Sequence, residues 1–261
     1  ALFNDSAFSI CNKPIELLGQ EPTIASDSWA LPDAGYYGYR SEDGSYIICD
    51  AGLIAPDCIP GHAHGDIFSF ELSLKGQRVI VDSGVYDYVP GEMRKYCRST
   101  SAHNTVEING RDQCEFWSVF RVARRGYPHD IIWKPDADGF CLSGWHDGYK
   151  RLPSGPIHHR TIAWGSSKGL EVRDRFKARR SITAVSRLHL HPDCRIISLR
   201  NQDALVEYSA GIFKIAFSGQ GKLSLEDSFY CPEFGCKVPN IVLAYLFEGK
   251  ESETVFTLVS Q

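Results

Sequence analysis

Methionine is nearly absent from this sequence. The only one among 261 residues is Met93, and the chain opens on Ala1, so the natural start is expected to lie upstream. Long apolar runs are missing as well. No stretch approaches the roughly 20 residues that a membrane-crossing helix needs, and no membrane insertion is expected. The nine cysteines include no CxxC pair, which excludes a zinc ribbon. Internal repeats and low-complexity tracts are lacking, and so is any long amphipathic helical pattern. Positive charge is in deficit: the formal net charge is −4, which argues against general nucleic-acid binding.

What is present is period-2 alternation. It runs through residues 67–74 (IFSFELSL), 78–82, 105–108, 119–123, 183–191 and 255–259, with Gly, Pro, Asn and Asp between the runs. That pattern predicts an all-β fold, a large antiparallel β-sandwich with few or no long helices. Residues 1–35 are irregular and polar and read as a linker and first strand following a preceding domain. Residues 36–261 read as the sandwich domain, with 151–155 (RLPSG) as a turn-rich link between two halves and 226–239 as a long loop. A hydrophobic content of 43% supports a sizeable core without disulfides. The cysteines then read as core residues or free thiols, and their odd number leans towards a reducing compartment.

Charge is uneven. Between Gly91 and Arg125 stand Arg94, Lys95, Arg98, Arg111, Arg121, Arg124 and Arg125 against Glu92, Glu107, Asp112 and Glu115. Such a segment can attract an acidic polymer, or it can be a solvated strand face.

The densest chemistry lies in His62-Ala63-His64-Gly65-Asp66. Histidines at i and i+2 project to one side of an extended chain, and neutral imidazole is a common metal ligand. Asp82 follows an apolar strand, where a carboxylate needs a partner if buried. His103 precedes another strand. Two histidines and a carboxylate suit Zn²⁺ with water as fourth ligand. Spacing alone leaves their meeting open. In a straight hairpin His64 and Asp82 would stand roughly 20 Å apart, so the chain must bend near Gly65.

The stretches GHAHGDIFSFEL, GQRVIVDSGVYDY and RKYCRSTSAHNTVEING with RDQ, between residues 61 and 113, resemble the heparinase II/III-like C-terminal domain. Weaker likeness continues through residues 148–152, 158–160, 172–174 and 191–192. The opening LFNDS resembles the linker after that family's helical domain. The resemblance implies an N-terminal α/α toroid before this β-sandwich, and cleavage of uronic-acid polysaccharides such as heparan sulfate or alginate by β-elimination. It implies zinc, in a structural role, on His64, Asp82 and His103. His62 matches a catalytic histidine near the scissile linkage. Tyr88, Tyr96 and Arg98 are carried over as substrate contacts. The family's toroid holds further essential residues, and no segment here supplies them, so the chain alone is expected to be inactive or very weak. The resemblance points to the periplasm or cell exterior, against the reading from the cysteines. Two other functions stay open: a non-catalytic carbohydrate-binding or assembly domain in surface-polysaccharide production, and a cupin-like metalloenzyme using His62, His64, Glu71 and His103.

Overall fold

The alternating runs form strands because β-branched and aromatic residues on one side of each can be buried while polar ones face out. The computed structural model of the chain describes residues 27–165 and 168–260. Of the expected linker and first strand, residues 1–26 lie outside these described residues.

A five-stranded antiparallel sheet runs in sequence order through β1 (Asp27–Leu31), β2 (Tyr36–Arg40), β3 (Tyr46–Asp50), β4 (Phe70–Leu74) and β5 (Gln77–Ile80). One seven-residue helix, α1 (Glu92–Arg98), follows. Then come β6 (Val106–Ile108) and a small pair, β7 (Phe116–Trp117) and β8 (Arg121–Val122). The rest of the chain, with β6, builds a ten-stranded sheet from β9 (Pro128–Asp136), β10 (Gly139–His146), β11 (Ile157–Gly165), β12 (Gly169–His189), β13 (Arg195–Leu199), β14 (Asp203–Tyr208), β15 (Gly211–Ser218), β16 (Gly221–Tyr230) and β17 (Val238–Ser260). Its main path is β13-β14-β15-β17-β12-β11-β10-β9, with β16 on β17 and β6 on β12.

Strands β12 and β17 are the spine. They pair from Leu170↔Leu258 to His189↔Val242, with a register shift between Lys177 and Ile182. The sequence shows only two fragments of this ladder. Charged residues around the shift (KARRS in β12, EGKESE in β17) break the alternation there. Those charges are exposed, and Lys177 pairs across the strands with Glu251 at 3.8 Å.

The two sheets close on an aromatic core. Tyr37 packs on Trp133 at 5.3 Å between ring centroids and Phe70 on Phe256 at 6.1 Å. Phe176, Phe213 and Phe256 are almost wholly buried, each contributing roughly 1.5–3 kcal/mol.

Four expectations need correction. The strand expected from residue 67 begins at Phe70, because Phe68 takes φ 61° and Ser69 N–H closes a turn onto the Asp66 carbonyl at 2.8 Å. Residues 151–155 do not divide two halves, since they join β10 to β11, neighbours in one sheet. The first strand stands inside the five-stranded sheet, so that sheet begins at Asp27, not at residue 36. The expected 226–239 loop is strand up to Tyr230.

Candidate active site and metal centre

The turn at residues 66–69 is the bend that the spacing required. It follows a 3-10 turn, Pro60–His62, and is fixed by groups far away in sequence. Gly65 N–H donates to the Arg98 carbonyl at 2.9 Å. A side chain cannot replace Gly65, because a Cβ there would stand 2.5 Å from Thr100 Oγ1 and 3.1 Å from Thr100 N. Gln113 accepts from Ile67 N–H at 2.8 Å and donates to the Ile67 carbonyl at 3.2 Å.

The triplet His103-Asn104-Thr105 ties the sheets together. Asn104 Nδ2 donates to the carbonyls of Phe70 and Val81 at 2.8 and 2.9 Å, and its Oδ1 accepts from His189 N–H at 2.8 Å. It therefore joins β4, the end of β5 and β12. Thr105 Oγ1 donates to the Ile67 carbonyl at 3.0 Å. Asn104 and Gln113 were quoted within the sequence motif, but nothing in the motif marked them as the groups that hold the bend.

The ligand atoms of His64, Asp66 and His103 lie within 4.8 Å of one another. His103 Nδ1–H donates to Asp82 at 2.6 Å, while its Nε2 is buried without a hydrogen-bond partner. An imidazole with one nitrogen oriented by a carboxylate and the other left over, beside a second histidine and a carboxylate, fits a Zn²⁺ donor set. Of the three expected donors, His64 and His103 converge, and Asp82 sits behind His103. Asp66 joins the converging set, although the sequence reading passed over it.

The electrostatics follow from this packing. Burial disfavours charge on His103, but the charge and hydrogen bond of Asp82 outweigh it and push its pKa up to about 9. Burial also opposes charge on Asp82, yet His103 holds that carboxyl far below its ordinary range. Burial, then the neighbouring His103, lowers His64 well below its usual value.

His64, Asp66 and Asp82 line a cleft of about 300 Å³ that also takes in Tyr36, Asp50, His62, Glu71 and Tyr88. His62 is exposed at its rim, with its ring 5.2 Å from that of Tyr88. Burial and the adjacent Asp66 raise Asp50 to about 8. Glu71 is bound to Arg78 and is not among the converging donors His64, Asp66 and His103, which leaves the metal set of the cupin-like alternative incomplete.

The expected substrate contacts separate. Tyr88 is 37% exposed and lines the cleft. Tyr96 is half-buried, with its hydroxyl bonded to Ser83 at 2.8 Å and to Ser228. Arg98 is 1% exposed and donates to the carbonyls of Ala63, Ser118 and Val119. It cannot meet a substrate directly in this arrangement. The basic segment is likewise no continuous patch. Arg94 is buried too, and Lys95, Arg124 and Arg125 pair with Glu92, Glu115 and Asp57.

A buried polar chain links β10, β11 and β12. Gly148 N–H donates to His146 Nδ1 at 3.2 Å, His146 Nε2 contacts His158 Nδ1 at 2.9 Å, and His158 Nε2 meets Asp174 at 2.7 Å. One tautomer satisfies all three contacts with both imidazoles neutral. Arg160 completes the chain with two bonds to Asp174 and one each to the carbonyls of Phe68 and Asn104, at 2.8 and 2.6 Å. Burial lowers the pKa of both His146 and His158. The folded state therefore keeps them neutral while the unfolded chain takes up protons below about 6.5. Stability is expected to fall as pH drops through that value, by about 1.4 kcal/mol per pH unit for each histidine. Urea denaturation at pH 7 and pH 5.5 checks this, and equal stability at both would mean that the pair is charged in the fold.

Comparison with known proteins agrees with this architecture. The family model described as Heparinase II/III-like, C-terminal matches residues 23–258. A heparin-sulfate lyase of Bacteroides stercoris is 26% identical over 136 residues, 49% of this chain and 18% of that protein. The solved structure of a heparinase III gene product superposes with a TM-score of 0.74 at 16% identity, covering 93% of this chain and 37% of that one. For the heparan sulfate lyase HepC of Pedobacter heparinus the TM-score is 0.72 at 18% identity, over 93% of this chain and 38% of that one. The chain thus spans well under half the length of these relatives. No helix among the described residues is long and apolar enough to cross a membrane.

Proposed function

The chain belongs to the Heparinase II/III-like, C-terminal family, and on that premise we propose that it is the β-domain of a polysaccharide lyase. Its substrate would be an acidic, uronic-acid-containing polysaccharide of the heparan sulfate, heparin or alginate kind, cleaved by β-elimination. The observation that carries this reading is the cleft itself, with an exposed histidine, His62, two residues from a buried and convergent donor set.

β-Elimination takes the C5 proton of the uronate, forms the C4–C5 double bond and breaks the C4–O4 bond, and O4 leaves with a proton. It needs a neutralised substrate carboxylate, a base and an acid. His62 can hold or move a proton at the rim, with Tyr88 against its ring. His64, Asp66 and His103 would hold zinc, with Asp82 orienting His103. When bound, zinc would tie these loops together and add positive charge beside His62. The remaining acid–base groups are assigned to an N-terminal α/α toroid of the parent protein, so the isolated chain is expected to be inactive or very weak. A periplasmic or extracellular location accords with such a substrate.

The test is ultraviolet absorbance of unsaturated uronate product, with the parent-length protein on heparan sulfate and on alginate. Product from either substrate supports the reading. Binding of these polymers without product would move the assignment to a carbohydrate-binding or assembly role in surface-polysaccharide production.

A further inference from the structure

Two arginines sit one turn apart on α1, at positions 94 and 98, and are only 2% and 1% exposed. Among the described residues, every hydrogen bond that their guanidiniums make ends on a backbone carbonyl. Arg94 donates to Val119 at 3.2 and 3.0 Å and to Gly61 at 3.1 Å. Arg98 donates to Ala63 at 3.0 Å and to Ser118 and Val119 at 2.8 Å each. Arg94 Nη1 and Arg98 Nη2 are buried without any partner. Aromatic rings cover what remains, with Arg94 4.8 Å from the Tyr88 ring and Arg98 4.6 Å from that of Phe116.

By contrast, Asp82, Glu71 and Asp174 are paired with His103, Arg78 and Arg160. No carboxylate among the described residues forms an ion pair with Arg94 or Arg98. A buried charge without a counter-ion is strongly destabilising, and two of them one turn apart also repel each other. Tethering carbonyls alone would be served by neutral amides. Two features show what the charge can do. The carbonyls of Gly61 and Ala63 flank His62, so the two guanidiniums grip the chain on both sides of the residue at the cleft rim. Tyr88, whose ring covers Arg94, also lines the cleft, so the charge lies directly behind the cleft wall.

We propose that Arg94 and Arg98 form a buried cationic base for the cleft. They fix the backbone of His62 and supply an uncompensated positive field to a cleft that accepts an acidic glycan. Low-dielectric walls carry such a field into the cleft with little screening. The two arginines are positioning and specificity residues, acting from below without touching the sugar. This rests on the acidic-glycan reading above.

The test measures binding of a heparan sulfate tetrasaccharide and of neutral chitotetraose by calorimetry, across a range of salt. It uses the native chain, the double variant Arg94→Lys/Arg98→Lys and the double variant Arg94→Met/Arg98→Met, each checked for folding by circular dichroism. Where the double Met variant does not fold, Arg94→Met and Arg98→Met singly take its place. The native chain is expected to prefer the acidic tetrasaccharide, with affinity falling as salt rises. The Met variants should lose about tenfold and show a flatter salt dependence, while the Lys variant, which keeps charge but not the fork, stays within about threefold. Equal losses in the Met and Lys variants would reduce the arginines to a structural clamp and overturn the proposal. So would Met variants that bind like the native chain. A native chain with no preference for the acidic sugar would overturn the acidic-glycan reading, and this inference with it.

Discussion

Elemental analysis of the purified chain is expected to return about one zinc per chain, and His103→Ala should abolish it. His103 is the keystone because its two ring nitrogens have separate duties. Nδ1 is occupied by Asp82, and the buried Nε2 has no other partner. The two carboxylates should then behave differently. Asp66→Ala removes a member of the converging set and should eliminate binding as His103→Ala does. Asp82→Ala removes the group that orients His103, so zinc should still bind, about 10–100-fold more weakly in chelator competition. The reverse pattern, with metal lost in Asp82→Ala and kept in Asp66→Ala, would restore Asp82 as the direct ligand that the family resemblance implies. No zinc in the native chain, even after it is supplied, would remove the metal centre altogether.

The largest loss of stability is expected from Asp174→Ala. Arg160 is fully buried and gives two hydrogen bonds to that carboxylate, at 2.7 and 3.0 Å. Removing it strands a guanidinium in the core and leaves His158 Nε2–H without its acceptor. About 3–5 kcal/mol should be lost in urea denaturation, because breaking one side of a buried pair costs far more than the pair contributes. The double variant Asp174→Leu/Arg160→Met removes both charges and should recover part of that loss. It cannot recover all, since the carbonyls of Phe68 and Asn104 lose their donor. A loss below about 1 kcal/mol in Asp174→Ala would mean that Arg160 finds another counter-ion or water, and that the chain of contacts is not rigid.

The fold class was legible because alternation survives wherever a strand has one wet face, as in residues 255–259, where Phe256 and Leu258 are buried and Val259 is exposed. It failed where both faces lose that contrast. The middles of β12 and β17 carry charges on both sides of a register shift, so two long strands read as fragments. Site residues were legible in proportion to their chemistry. His62, His64 and His103 stand out as imidazoles in short motifs, and two of them do converge. Asp66 stood in the same motif and was missed because Asp82 had already filled the carboxylate position. Arg98 was misjudged for a different reason. A sequence shows that a residue is charged, but not whether carbonyls from residues 63, 118 and 119 close over it. The chain of contacts through His158 is hidden from any local reading because its partners, His146 and Asp174, come from the two flanking strands. Register, which set those neighbours, is a property of pairing rather than of any local run.

Strand β17, residues Val238–Ser260, lies at the centre of the large sheet and pairs with β12, β15 and β16 at once. On the ribosome this order matters. Until residues 238–260 emerge, those three strands have no common neighbour, and their apolar faces and unpaired edges remain exposed. The centre of the sheet is laid down after its flanks have been synthesised, so the nascent chain must wait for it. Slow, non-local closure of this kind favours aggregation during synthesis. It makes the polypeptide a natural client for holding chaperones, and it sets a late point on the chain before which no stable sandwich can be released.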